Sequence, residues 1–292
     1  MTSDPICIWP LGAILGEGPV WVARDRALWF TDIKRRKLHR FDPASEEKRS
    51  WDAPSQPGFV HPARDGGLVV GLQTGLHRFD PASATFEFLT APEPDRPGNR
   101  LNDATVAPDG SLWFGSVDDG ETVASGAFYR LEPDGHAVRM GGECAITNGP
   151  ALSPHGSILY HVDSLARAID RFDVAPNGVI SNRRRFATID EADGYPDGPT
   201  VDCEGHVWIG LWGGWRARRY APDGSISAEV RFPVANVTKL AFGGPDFATA
   251  FVTTASQGLD DAALADQPLA GGLFAFNADV PGLPGHEVSI GI

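Results

Sequence analysis

Sulfur is scarce in this chain: three cysteines and two methionines among 292 residues. Cys7, Cys144 and Cys203 are odd in number, widely spaced and without a neighbouring histidine pair, which argues against a disulfide framework or a zinc-thiolate site and leaves them as free thiols. The eight histidines form no HExxH motif and no close pair, so any metal here should meet oxygen ligands. A GxSxG turn is missing, and no cysteine sits beside a histidine in a nucleophile motif, which argues against a hydrolytic triad. No apolar run approaches the roughly 20 residues that span a bilayer. The N-terminus lacks a basic segment followed by an apolar stretch, so the expectation is a soluble, cytoplasmic protein with no membrane partner. Basic residues are also in deficit, 25 Lys and Arg against 38 Asp and Glu, for a formal net charge of −13. The longest basic run is Arg183 to Arg185, and a surface of this sign repels nucleic acid. A small neutral ligand, or a cation drawn to an acidic mouth, suits the charge better.

What the chain has in quantity is punctuation: 34 Gly and 24 Pro scattered between short apolar runs. One run recurs as apolar-Trp-apolar: LWF at Leu28 to Phe30, LWF at Leu112 to Phe114, VWI at Val207 to Ile209. Weaker copies, LVV at Leu68 to Val70, ILY at Ile158 to Tyr160 and AFV at Ala250 to Val252, fill the gaps, so the centres fall at 29, 69, 113, 159, 208 and 251. Each is followed by a second strand ending in a turn, as in LHRFDPAS from Leu38 and again from Leu76. Six repeats of roughly 40 to 50 residues, several short strands in each and no amphipathic helix, predict an all-β fold, a six-bladed β-propeller formed as one domain over residues 1–292. One four-stranded sheet cannot cover both of its faces, whereas six packed radially bury one another, so Trp29, Trp113 and Trp208 are expected in the core.

A third element precedes four of the central strands by eleven or twelve residues: EGPVW at Glu17, NDATV at Asn102, NGPAL at Asn148 and DGPTV at Asp197. Thr238 and Pro57 take the same phase in the remaining two repeats. The innermost strand of every blade runs beside the central channel, so residues at one phase form a ring at one depth. Two carboxylates and two amide oxygens arranged this way suit Ca²⁺, Mg²⁺, Mn²⁺ or Fe²⁺ and tolerate Zn²⁺, giving an expected cofactor of one divalent metal ion. The bland alternative is that these residues only cap equivalent turns. Four of six positions, one of them a Glu that is a poor turn former, favour the ring.

With these residues in view, the chain resembles the senescence-marker-protein, gluconolactonase and luciferin-regenerating-enzyme family, which includes regucalcin and bacterial aldonolactonases. The likeness is carried by LGEGPVW (Leu15 to Trp21), RLNDATVAPDGSLWFGS (Arg100 to Ser116), ITNGPALSPHG (Ile146 to Gly156), YPDGPTVDCEGHVWIGLWGG (Tyr195 to Gly214) and FGGPDFATAFVTTA (Phe242 to Ala255). Several long motifs in order are far more specific than one short pattern. The segments TTASQGL (Thr253 to Leu259) and PLAGGLF (Pro268 to Phe274) look most like bacterial pentonolactonases and hexonolactonases. The resemblance implies that Glu17, Asn148 and Asp197 hold the metal, and that Arg100 and Asn102 contact the substrate. It also implies a substrate-contacting acid soon after the Gly115-Ser116 turn, for which Asp119 and Glu121 are both candidates.

The implied reaction is metal-dependent hydrolysis of a sugar-acid lactone, a pentono- or hexonolactone, to the free aldonic acid by a monomeric enzyme. The metal would polarise the lactone carbonyl, Asp197 would serve as the base for water, and Arg100 would stabilise charge on the carbonyl oxygen. Antiparallel pairing should bring Asp32, Asp163 and the Trp212 to Trp215 turn to the same mouth, as loop-orienting or substrate-stacking groups. Two rivals remain at this level: a calcium-dependent phosphotriesterase or arylesterase, which would want a more apolar pocket, and a noncatalytic metal-binding scaffold.

Overall fold

The computed structural model describes residues 3–132 and 134–290. Their strands form six separate four-stranded antiparallel sheets. Five sheets use consecutive strands, and their innermost strands are Gly16–Val22, Pro57–Pro62, Asn99–Val106, Thr147–Leu152 and Tyr195–Val201 (blades 1 to 5). Blade 6 begins with Asn236–Gly243, continues through Thr249–Ala255 and Leu273–Asn277, and takes its outermost strand from the other end of the chain, Ile6–Trp9. Each inner strand neighbours the inner strands of the blades before and after it, and blade 6 returns to blade 1. The result is the six-bladed β-propeller expected from the repeat. All six predicted centres lie in the second strand of a blade: Ala27–Asp32, Leu68–Leu72, Leu112–Asp118, Ile158–Asp163, Val207–Trp212 and Thr249–Ala255.

Burial explains why those second strands read as continuous apolar runs rather than alternating ones. Sandwiched between two other blades, Ala27–Asp32 and Leu68–Leu72 are buried on both faces, whereas the outermost Glu47–Asp52 and Ile226–Arg231 are largely exposed. The tryptophans are the wedges between blades. Trp29 stacks on Trp51 with ring centroids 5.0 Å apart and meets Phe79 of blade 2 edge-on. Trp113 packs with Leu159 and Phe172 of blade 4, and Trp208 with Phe242 and Phe276 of blade 6.

Every inner strand carries a register shift against its second strand, and all six shifts fall at the phase of the ring: Glu17/Val20, Pro57/Phe59, Leu101/Ala104, Asn148/Ala151, Pro196/Pro199 and Val237/Leu240. A bulge re-aims a side chain that a regular ladder would send between the blades. The residue after the ring position is Gly in four blades, because the channel is already full there. A Cβ on Gly198 would lie 2.6 to 2.7 Å from the Lys239 side chain, and one on Gly58 2.2 Å from the Leu101 carbonyl oxygen. The far end of the axis is crossed by the C-terminal segment, which bonds to Cys203, Phe247, Pro62 and Gly110 in four different blades. Among the described residues, no helix is long and apolar enough to cross a membrane.

Candidate active site

The mouth of the channel lies where the inner strands begin and the second strands end. A cavity of about 270 Å³ opens there, with Glu17, Arg100, Asn102, Asn148, Asp197, Glu121, Ser164 and Gln257 among its lining groups, beside an apolar wall that includes Leu15, Leu165 and Trp212. Blades 1, 3, 4 and 5 therefore bring together the four ring residues expected from spacing. All four are buried. Thr238 and Pro57, though at the same phase, do not line the cavity. Thr238 instead donates to the Gly16 carbonyl at 2.7 Å, tying blade 6 to blade 1.

Hydrogen bonds give each ring residue its orientation. Asn102 donates through Nδ2 to the Thr147 carbonyl at 2.7 Å and to Asn148 Oδ1 at 3.0 Å, while its own Oδ1 accepts from Arg100 Nη1. Asn148 Nδ2 donates to Ser164 Oγ at 2.9 Å, which fixes its oxygen toward Asn102. Glu17 Oε2 accepts from the Gly18 amide at 3.0 Å, and the charge of Glu17 bears directly on Asp197.

Asp119 and Glu121, left as alternatives by the sequence, take different places. Asp119 lies outside the cavity lining and accepts from Arg100 Nε at 3.0 Å, Lys34 Nζ at 2.6 Å and Gln56 Nε2 at 2.9 Å. Glu121 lines the cavity, and its backbone sits at φ 56 on the turn closed by its bond to the Asp118 carbonyl. Asp32 accepts from the amides of Ile14, Leu15 and Arg35, and Asp163 from that of Ala166, so both orient loops. Trp212 lines the cavity, whereas Trp215 does not and is 40% exposed.

One layer deeper lies a pair that the ring analysis missed. Asp103 and Lys239, each directly after a ring position, are both buried and form a salt bridge across the axis from blade 3 to blade 6. A signal was present: at that phase the other four blades have Gly18, Gly58, Gly149 and Gly198. Ser164 and Gln257 were also missed; both sit on loops outside the repeat.

Three buried carboxylates, Glu17, Asp103 and Asp197, thus share one buried ammonium, while Arg100 is engaged by Asp119. Burial, then the charge of Asp103, pushes Glu17 up to about 7, and burial, then the charge of Glu17, holds Asp197 well above the ordinary carboxylate range. Among the described residues no cluster of three or more His, Cys, Asp or Glu could hold a metal, so the available donors are two carboxylates and amide oxygen. That uncompensated charge and all-oxygen donor set match what a hard divalent cation prefers.

A pH dependence follows for protein stripped of divalent cations. A carboxyl near 4.5 when unfolded and about 7 when folded favours folding in its protonated form. Its contribution, about 3 kcal/mol, is intact below pH about 4.5 and is lost as pH rises through about 7. Urea melts at pH 5 and pH 8 on EDTA-treated protein should show this loss, and Glu17→Gln should remove that part of the slope. An identical slope in the variant would refute the assignment.

Fold and cavity together define a six-bladed propeller with an acidic, amide-lined site at one end of its axis. The family model described as the SMP-30/Gluconolactonase/LRE-like region matches residues 15–256, and the chain belongs to that family. It is 39% identical over 264 residues to L-arabinolactonase of Azospirillum brasilense, covering 89% of this chain and 87% of that one. To 6-deoxy-6-sulfogluconolactonase of Pseudomonas putida it is 31% identical over 279 residues, covering 94% and 95%. The crystal structure of a calcium-binding protein, regucalcin, from Agrobacterium tumefaciens superposes with a TM-score of 0.93 at 28% identity, covering 98% of this chain and 97% of that one.

Proposed function

We propose that this chain hydrolyses a sugar lactone to the open hydroxy acid, with one divalent cation held by Glu17, Asn148 and Asp197. The observation that carries the reading is the surplus of buried carboxylate at the axis, opening into a cavity that also presents Arg100, Asn102 and Glu121. Relatives named as an arabinolactonase and a sulfogluconolactonase support the substrate class, and a structural neighbour described as calcium-binding supports the cation. The cation, drawn from Ca²⁺, Zn²⁺, Mn²⁺, Mg²⁺ or Fe²⁺, supplies Lewis-acid polarisation of the carbonyl when bound.

The chain's own groups do the rest. Water adds to the lactone carbonyl carbon and the ring C–O bond breaks, so one proton must leave the water and one must reach the ring oxygen. Asp197 is the carboxylate placed in the cavity to accept the first and return the second. Arg100, in the cavity lining, would stabilise the negative charge that grows on the carbonyl oxygen. Asp119 anchors that guanidinium, and Lys34 and Gln56 offset burial enough to hold the Asp119 carboxyl below its ordinary value. Asn102, bonded to both Arg100 and Asn148, keeps the two in register. Glu121 accepts hydrogen bonds from substrate hydroxyls at the rim.

The test is acid release by EDTA-treated protein from a panel of pentono- and hexonolactones, each divalent cation added separately and spontaneous opening subtracted. An aryl ester and a phosphotriester belong in the same panel. Hydrolysis of a sugar lactone restored by one cation supports the reading. Turnover confined to the aryl substrates moves the site to the esterase class, and none with any cation overturns catalysis.

A further inference from the structure

Gln257 is the one cavity-lining side chain that carries a buried polar atom without a hydrogen-bond partner among the described residues: its amide oxygen. The backbone around it is pinned. Its amide N–H donates to the Ile14 carbonyl at 2.9 Å, its carbonyl accepts from Asn236 Nδ2 at 3.0 Å, and Asn236 Oδ1 in turn accepts from the Gly213 amide at 3.2 Å. The preceding Ser256 donates through both N and Oγ to the Ala13 carbonyl. Gln257 is therefore held at a fixed place relative to Trp212, beside the apolar cluster of Leu15, Ile33 and Ala255.

Its position in the ring gives the orphaned oxygen a meaning. Gln257 follows the second strand of blade 6, three blades from blade 3, which supplies Arg100, Asn102 and Glu121. The cavity thus has two polar poles on opposite walls, with the acidic ring between them. Buried polar atoms are almost always paired, so one that faces a ligand cavity calls for a partner from the solvent or the ligand that fills it. A hydroxyl is the group that fits, since it can donate to the oxygen of an amide and accept from its nitrogen.

We infer that Gln257 hydrogen-bonds a hydroxyl of the substrate on the wall opposite Arg100, and so sets which hydroxylated lactones the enzyme prefers; this rests on the lactone-hydrolase reading above. Gln257 acts on selection and positioning, and takes no part in bond making. A site built to pair with a hydroxyl rejects the analogue lacking it, because its own polar group is then left unpaired. Replacing that group with a methyl-bearing isostere should abolish the discrimination.

The experiment compares kcat/KM for sugar lactones and their monodeoxy analogues in the wild type, Gln257→Leu and Gln257→Glu, each loaded with the activating cation. For one hydroxyl position, wild type should prefer the hydroxylated lactone by about tenfold or more, and Gln257→Leu should lose that preference through KM with kcat little changed. Gln257→Glu, which keeps the acceptor, should retain most of it. Equal preference in wild type and Gln257→Leu at every position overturns the inference, as does a uniform fall in kcat across all lactones, which marks a structural role. Should Gln257→Leu fail to fold, Gln257→Met carries the same comparison. A wild type inactive on every lactone overturns the parent reading instead.

Discussion

Asp197→Asn should lower kcat/KM for lactone hydrolysis by about a thousandfold or more, the largest effect expected of any single substitution at this site. Two losses combine in it. A positioned base contributes on the order of 10²- to 10⁴-fold, and an amide cannot take the proton from water. The same change removes one of the two carboxylates that face each other at the axis, and with it half of the charge available to a cation. Volume and shape are retained, so the fold should stand. In stripped protein the variant should melt no earlier than wild type, because burial already holds Asp197 toward its neutral form. The two losses separate by titration. Glu17→Gln should weaken cation binding and recover part of its activity at high cation concentration. Asp197→Asn should stay inactive even when saturated. More than about a tenth of wild-type activity in saturated Asp197→Asn would remove Asp197 from the role of base and send the search to Glu121, the other acid lining the cavity.

Such a site is legible in the sequence because a propeller ties sequence phase to depth along one axis. Glu17, Asn102, Asn148 and Asp197 share a phase, and the geometry of the fold obliges residues of one phase to meet. Trp29, Trp113 and Trp208 were legible for the same reason, as one wedge repeated between blades. What escaped lies where the period stops. Ile6–Trp9 has four residues and no upstream repeat to be measured against, yet its pairing with Leu273–Asn277 completes blade 6. Gln257 and Ser164 stand on connections whose length differs from blade to blade. Asp119 and Glu121 are two residues apart on a turn with positive φ at Glu121, so no strand alternation tells which one faces the cavity.

Asp103 and Lys239 belong to a third category, present in the pattern but unread, and they lead to the other large expected effect. In four blades the residue after the ring position is glycine, and the two charged exceptions fall in blades 3 and 6, which face each other across the channel. Lys239 Nζ bonds Asp103 Oδ1 and also reaches the Ala104 carbonyl at 3.4 Å. Asp103 Oδ2 accepts from the Gly149 amide at 2.8 Å, extending the connection to blade 4. Lys239→Met leaves Asp103 buried without its ammonium, a change that costs about 3 to 5 kcal/mol when one partner of a buried pair is removed. Its aliphatic stem already packs against Gly198, so methionine keeps the volume and isolates the charge. The loss should also reach the ring above. Lys239 is one of the groups that hold Glu17 down, so without it Glu17 should gain its proton more readily in protein stripped of divalent cations. Asp103→Asn combined with Lys239→Met should recover much of the stability, since neither member of the pair then remains as an unpaired charge. A thermal or urea melt of the four proteins in this cycle measures the coupling directly. If Lys239→Met costs less than about 1 kcal/mol, or if the double variant is as unstable as the sum of the singles, the pair does not hold blades 3 and 6 together across the channel.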